Sequence, residues 1–137
     1  MVAALGAGLA SVLVPVVALA HASLVTSSPQ AGQHLGTAPG AVQLVFSEPV
    51  NTRLSSVLVA TPDGRSYRGT IDRQGTARVP LATDEVGVYS VRWSTVSAVD
   101  GHRLQGQFTF GVGVAAGGGA PAGGGGEASP GSVALAA

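Results

Sequence analysis

The chain has 137 residues, with seven Arg and no Lys against seven acidic residues, a formal net charge of zero. This balance excludes the concentrated basic footprint of a nucleic-acid binder. The absence of cysteine excludes disulfides, thiolate metal sites and a cysteine nucleophile, and the only methionine is Met1.

Residues 1–20 are apolar and carry no charged side chain. They read as an export leader closed by Ala18-Leu19-Ala20, an A-x-A cleavage site. A cut after Ala22, with Ala20 at the −3 position, is a second reading. An uncleaved apolar anchor is a third, although Gly6, Gly8 and Pro15 weaken such a helix. Cutting after Ala20 makes His21 the first residue of the mature chain. Its free amine and ring Nδ1 then close a six-membered chelate on one metal ion. Cleavage would thus create a metal-binding group that the precursor lacks.

Ser23–Thr26 opens a β-rich region. Ala41–Ser47 places Val42, Leu44 and Phe46 on one face, a strand pattern. Ser55–Thr61 contains Val57-Leu58-Val59, and Pro62-Asp63-Gly64 is a strong turn signal. Ser66–Ile71 then reads as the return strand of a hairpin. Thr76–Leu81 follows the break at Gln74-Gly75. Gly87–Ser94 points Tyr89, Val91 and Trp93 one way, and Gln107–Val112 repeats the pattern with Phe108, Phe110 and Val112. No segment shows sustained helical periodicity. About seven short strands with frequent turn residues predict a β-sandwich. Phe46, Tyr89, Trp93, Phe108 and Phe110 are the expected core aromatics. From Ala115 the composition becomes Gly/Ala/Pro-rich, which predicts a flexible, disordered tail over 115–137. The apolar ending Ser132–Ala137 is far too short to cross a membrane. The expected organisation is a leader over 1–20, a sandwich over 21–114 and the tail.

The chain has three histidines, His21, His34 and His102. Asp100 and His102 are two apart, and in an extended segment such residues share a face. A carboxylate oxygen and an imidazole nitrogen then converge, with Gly101 permitting a bend or a close approach. Alone, Asp-x-His is a weak signal. Pairing with His21 strengthens it, because the first and sixth predicted strands can lie close together in a sandwich. The combined donors are one amine nitrogen, two imidazole nitrogens and one carboxylate oxygen. Cu(II) prefers a tetragonal N/O set of this kind; Zn(II) accepts the same ligands, usually tetrahedrally. The reference pKa of the free amine is about 7.7–8.0, so binding should weaken as pH falls. His34, in the loop Gly32–Gly36, has no neighbouring ligand and reads as a surface residue.

These residues stand in a wider pattern: His21-Ala22-Ser23-Leu24-Val25, Ser28-Pro29, Phe46-Ser47-Glu48-Pro49 and Val91-x-Trp93-x-x-Val96-Ser97. Asp100-Gly101-His102 and Gly106-x-Phe108-x-Phe110 complete it. Over about residues 21–113 the sequence resembles the CopC family of exported copper-resistance and copper-uptake proteins. The resemblance implies an immunoglobulin-like Greek-key β-sandwich and one Cu(II) per chain, held by His21, Asp100 and His102. It places Glu48 near the copper without making it a ligand. The methionine-rich Cu(I) site of some members has no counterpart here. The implied protein is a monomeric, non-enzymatic, periplasmic or otherwise extracytoplasmic copper carrier, and the tail fits a membrane tether. Its implied partner is a membrane copper-transport protein of the CopD type. Two other functions fit parts of the pattern. An oxidative polysaccharide-cleaving enzyme also uses an N-terminal His and a second His, but Asp100 would fill a position that oxygen needs. A metal-free β-sandwich interaction module is the other.

Overall fold

The computed structural model describes residues 21–117, so the expected leader and most of the expected tail lie outside the described residues. Nine strands form: β1 (Leu24–Ser28), β2 (His34–Leu35), β3 (Ala41–Phe46), β4 (Ser56–Ala60), β5 (Ser66–Arg68), β6 (Thr70–Ile71), β7 (Thr76–Pro80), β8 (Gly87–Val96) and β9 (Arg103–Val112). They make two sheets, ordered β1-β3-β7-β6 and β2-β9-β8-β4-β5. The chain crosses between sheets after β1, β2, β3, β5 and β7, which gives the immunoglobulin-like Greek key. β2 runs parallel to β9, and the other named pairs are antiparallel.

Alternation along the strands fills the space between the sheets. Val42, Leu44, Phe46, Ala77 and Val79 face inward from one sheet. Val57, Val59, Tyr89, Val91, Trp93, Phe108, Phe110 and Val112 face them from the other. The five expected core aromatics are all buried. Tyr89 stacks on Phe110 with centroids 4.9 Å apart, and Trp93 packs between Phe46 and Phe108. Fully burying one such large apolar side chain stabilises the fold by about 1.5–3 kcal/mol.

The strand count exceeds the expected number for two reasons. The segment expected as one strand, 66–71, is split at Gly69, where the chain leaves β4 for β7. A Cβ on Gly69 would lie 2.5 Å from the Arg78 carbonyl oxygen and from Val79 Cγ2, so only glycine fits the crossing. His34-Leu35, expected as loop, is held as a short strand by its parallel pairing with Gly111-Val112. β8 and β9 also run further than their apolar alternation suggested. Each of the ten residues Gly87–Val96 pairs with one in Arg103–Val112, so ladder pairing overrides the weak strand preference of Gln105 and Gly106. At the other end, residues 115 and 116 belong to the folded body. Ala116 is 7% exposed, and its carbonyl accepts the Thr109 hydroxyl at 3.0 Å.

Gly69→Ala is expected to cost about 1–3 kcal/mol in denaturant unfolding, the range for forced overpacking. Gly40→Ala, where an added Cβ meets nothing within 4 Å, should stay within about 0.5 kcal/mol. The turn after β4 gives a pH-dependent term. The Asp63 carboxylate accepts hydrogen bonds from the Thr61 hydroxyl and the Arg65 amide and faces the Arg65 guanidinium, and these hold its pKa below the ordinary 3.8. A carboxyl depressed in the folded state stabilises above its unfolded value and stops doing so as pH falls through the folded one. Asp63→Asn should therefore lower stability at neutral pH, with the difference closing below 3.8, as read by unfolding curves across pH.

Candidate metal centre

The turn that joins β8 to β9 is built around Ser97, which is 2% exposed. Its amide donates to the His102 carbonyl at 2.9 Å, and its carbonyl accepts the Gly101 amide at 3.0 Å. Its hydroxyl accepts the amides of Val99 and Asp100 at 3.1 and 3.3 Å. Gly101 has φ +75°, in the left-handed region that glycine occupies without strain. Asp100 and His102 therefore converge through a tight turn and not, as the spacing suggested, through an extended strand.

Within that turn the Asp100 carboxylate grips His102 twice. Oδ1 accepts the His102 amide at 3.0 Å, and Oδ2 lies 2.9 Å from His102 Nδ1. The amide contact is the main reason the Asp100 pKa falls below the ordinary carboxylate value, opposed by partial desolvation. An Nδ1–H donated to Asp100 leaves the ring lone pair on Nε2, the atom free to bind an ion.

His21 approaches from the start of the described chain. The Ser47 hydroxyl donates to the His21 carbonyl at 2.6 Å. The Ser23 amide is shared between that carbonyl, at 2.7 Å, and Ser47 Oγ, at 3.1 Å. The next carbonyl, of Ala22, accepts the buried Thr95 hydroxyl at 2.8 Å. This path sets the His21 ring against that of His102, with centroids 5.0 Å apart and planes inclined by 48°.

One ligand atom from each of His21, Asp100 and His102 lies within 4.8 Å of the other two. Opposite ligands on an ion with bonds of about 2.0–2.1 Å stand about 4 Å apart, so small side-chain rotations close the set. Two buried side-chain polar atoms among the described residues lack a hydrogen-bond partner, His21 Nδ1 and Glu48 Oε1. An unpaired buried nitrogen or oxygen is costly. His21 Nδ1 is also the ring atom that can share an ion with the residue's own amine. Two neutral rings and one carboxylate carry a single negative charge, which suits a divalent cation.

Glu48 is half-buried and follows Ser47, the residue that holds the His21 carbonyl. His34 lies apart, exposed beside Gly111 at the opposite end of β9 from His102. Sequence reading assigned no role to Ser47, Thr95 or Ser97. For Thr95 there was a signal: it continues the inward row Tyr89, Val91, Trp93, where an apolar residue is the default.

The molecule is thus a two-sheet Greek-key sandwich with a His/Asp/His cluster at one end that could hold a metal ion. The family model for the CopC domain matches residues 24–113, and the chain belongs to the CopC family. It is 36% identical to Protein YobA of Escherichia coli (strain K12) over 99 residues, 68% of this chain and 79% of that one. It is 33% identical to Copper resistance protein C of Pseudomonas syringae pv. tomato over 114 residues, 75% and 89% of the two chains. Copper transport protein CutJ of Bacillus subtilis (strain 168) is 32% identical over 120 residues, 78% of this chain but 21% of CutJ. Among solved structures, CopC from Methylosinus trichosporium OB3b superposes with a TM-score of 0.60 at 27% identity, covering 67% and 93% of the two chains. PcoC, a methionine-rich copper resistance protein from Escherichia coli, gives 0.53 at 25% identity, covering 68% and 99%. Membership places the chain among proteins of copper resistance and transport.

The turn geometry is testable without metal. Gly101→Val should cost about 1–2 kcal/mol in chemical unfolding, because a β-branched residue is strained in the left-handed region. Gly101→Asn should cost markedly less, since Asn tolerates that conformation. Equal losses would show that the turn does not require the left-handed residue.

Proposed function

We propose that the mature protein is an exported, monomeric, non-enzymatic Cu(II) carrier that binds one ion per chain and passes it to a membrane transport partner. The observation that carries this reading is the gathering of one ligand atom each from His21, Asp100 and His102 within 4.8 Å of one another, with His21 Nδ1 buried and unpaired. After cleavage before His21 the ligands are the His21 amine and Nδ1, an Asp100 oxygen and a His102 nitrogen. This hard-to-borderline N/O set favours Cu(II). Glu48 stays beside the ion as an uncoordinated acceptor. The names of the P. syringae and B. subtilis relatives support copper as the cargo. The match to only a fifth of CutJ supports a domain that works with a larger transport protein.

Oxidation state sets the release step. Cu(I) prefers thiolate and thioether ligands, and the chain contains no cysteine and no methionine after Met1. One-electron reduction of the bound ion by an external donor would therefore weaken the site and favour transfer. Asp100 argues against oxygen chemistry, since its carboxylate takes a coordination position that an oxygenase leaves open.

The test compares protein beginning at His21 with the same protein carrying one extra N-terminal residue. Cu(II) titration of the first should give 1:1 binding and an axial, nitrogen-rich EPR signal, and the extension should weaken binding and change the signal. Loss of the Asp100 ligand in Asp100→Ala should weaken Cu(II) by more than the about 10–100-fold typical of supporting groups. Cu(I) competition should show much weaker binding throughout. Identical spectra with and without the extension would remove the amine from the ligand set. Comparable affinity for the two oxidation states would overturn release by reduction.

A further inference from the structure

We infer that Thr95 and Ser47 are positioning residues: two hydroxyls from opposite sheets that fix the His21–Ala22 backbone and so set where the N-terminal ligand stands before metal arrives. The inference rests on the copper reading above for its consequence, but its geometry is independent of metal.

Residues 21–23 precede β1, and of their carbonyls that of Ser23 is tied by a backbone amide, accepting from Ser47 at 2.8 Å, while those of His21 and Ala22 lie beyond the ladder. Segments of this kind are poorly ordered unless tied down. Here two successive carbonyls are tied by side chains. Ser47, just after β3, donates to the His21 carbonyl at 2.6 Å. Thr95, on β8, donates to the Ala22 carbonyl at 2.8 Å. The two hydroxyls reach the segment from different layers of the sandwich, so it is held on both sides.

Thr95 is the more telling of the two. It is fully buried, as is Ala22. It occupies the inward row of β8, where Val would fill nearly the same space. A hydroxyl in the core is unfavourable unless it is hydrogen-bonded, and the Ala22 carbonyl satisfies it. Five residues further along the chain, the turn that β8 enters presents Asp100. Through Thr95, the N-terminal segment is referenced to the same strand that carries the other half of the site. The ordering cost of bringing His21 to Asp100 and His102 is then met during folding and not on binding, which raises affinity without adding a ligand.

Thr95→Val, Thr95→Ser and Ser47→Ala, each in protein beginning at His21, test this. Thr95→Val removes the hydroxyl and leaves the Ala22 carbonyl buried without a partner. It should weaken Cu(II) binding by about 10–100-fold, the range for groups that orient ligands. Its EPR signal should broaden into more than one species. Thr95→Ser should restore affinity and a single signal. Ser47→Ala should shift both readouts in the same direction; Ser47 is exposed, so this variant does not threaten the core. In the metal-free proteins, amide hydrogen exchange at Ser23 and Ser47 should accelerate in Thr95→Val and Ser47→Ala, while exchange at Val91 stays slow. Unchanged affinity, spectrum and exchange in both variants would overturn the inference. A folded Thr95→Ser that fails to rescue would show that the hydroxyl is not the agent. If the parent protein binds no copper, the copper reading fails, while the exchange experiment still decides whether the two hydroxyls hold the segment.

Discussion

The pairing of β8 with β9 is the constraint on which the rest depends. Its ladder runs unbroken from Gly87↔Val112 to Val96↔Arg103. The inner face supplies Tyr89, Val91, Trp93, Phe108, Phe110 and Val112 to the core. The end of the same ladder is closed by the Ser97–His102 turn, whose hydrogen bonds bring Asp100 against His102. Core packing and site geometry are therefore consequences of one element. A slip of one residue would turn every inward side chain outward and would also displace Thr95 from Ala22. The burial that stabilises the sandwich thus also sets the register that builds the cluster.

Much of this could be read in the sequence, and the boundary between what could and could not is physical. Period-two alternation is local, so β3, β4, β7 and the apolar parts of β8 and β9 were visible, as were the five core aromatics. The pairing that extends β9 back to Arg103 is not local, and neither is the parallel contact that makes a strand of His34-Leu35. Gly69 illustrates the difference. Its neighbours suggested one strand, and only the spatial approach of Arg78 and Val79 shows why the chain must change sheets there. Ala116 is similar: an Ala/Gly-rich stretch signals flexibility, yet one hydrogen bond from Thr109 and a niche against β9 hold its start.

The cluster shows the same division. His21, Asp100 and His102 were visible because few residue types ligate metals and only three histidines exist in the chain. The spacing does not decide the route by which Asp100 and His102 meet, since a separation of two fits an extended strand and a tight turn equally well. The serine and threonine hydroxyls were not visible. Such residues are common, and most of their hydrogen bonds go to water or nearby backbone. Only position separates Ser47, Thr95 and Ser97 from the others, and position is a product of the fold.

Holding the N-terminal ligand by its backbone has a chemical consequence that holding it by its side chain would not have. The contacts from Ser47 and Thr95 engage carbonyl oxygens and leave the ring Nδ1 of His21 without a partner. Asp100 does the complementary task at His102, where it occupies Nδ1 and selects Nε2. On the proposed reading, the two histidines thus keep their ligating ring nitrogens free, while the Asp100 carboxylate both accepts from His102 and offers an oxygen to the ion. A site arranged in this way would discriminate by donor type and geometry, since the backbone beneath it is held by hydrogen bonds of its own. Copper in its two oxidation states differs in both respects, so on the proposed reading the frame that would hold Cu(II) is a poor host for Cu(I). On that reading transfer needs no opening of the sandwich: one electron delivered to the cargo by an external donor is sufficient to weaken its hold.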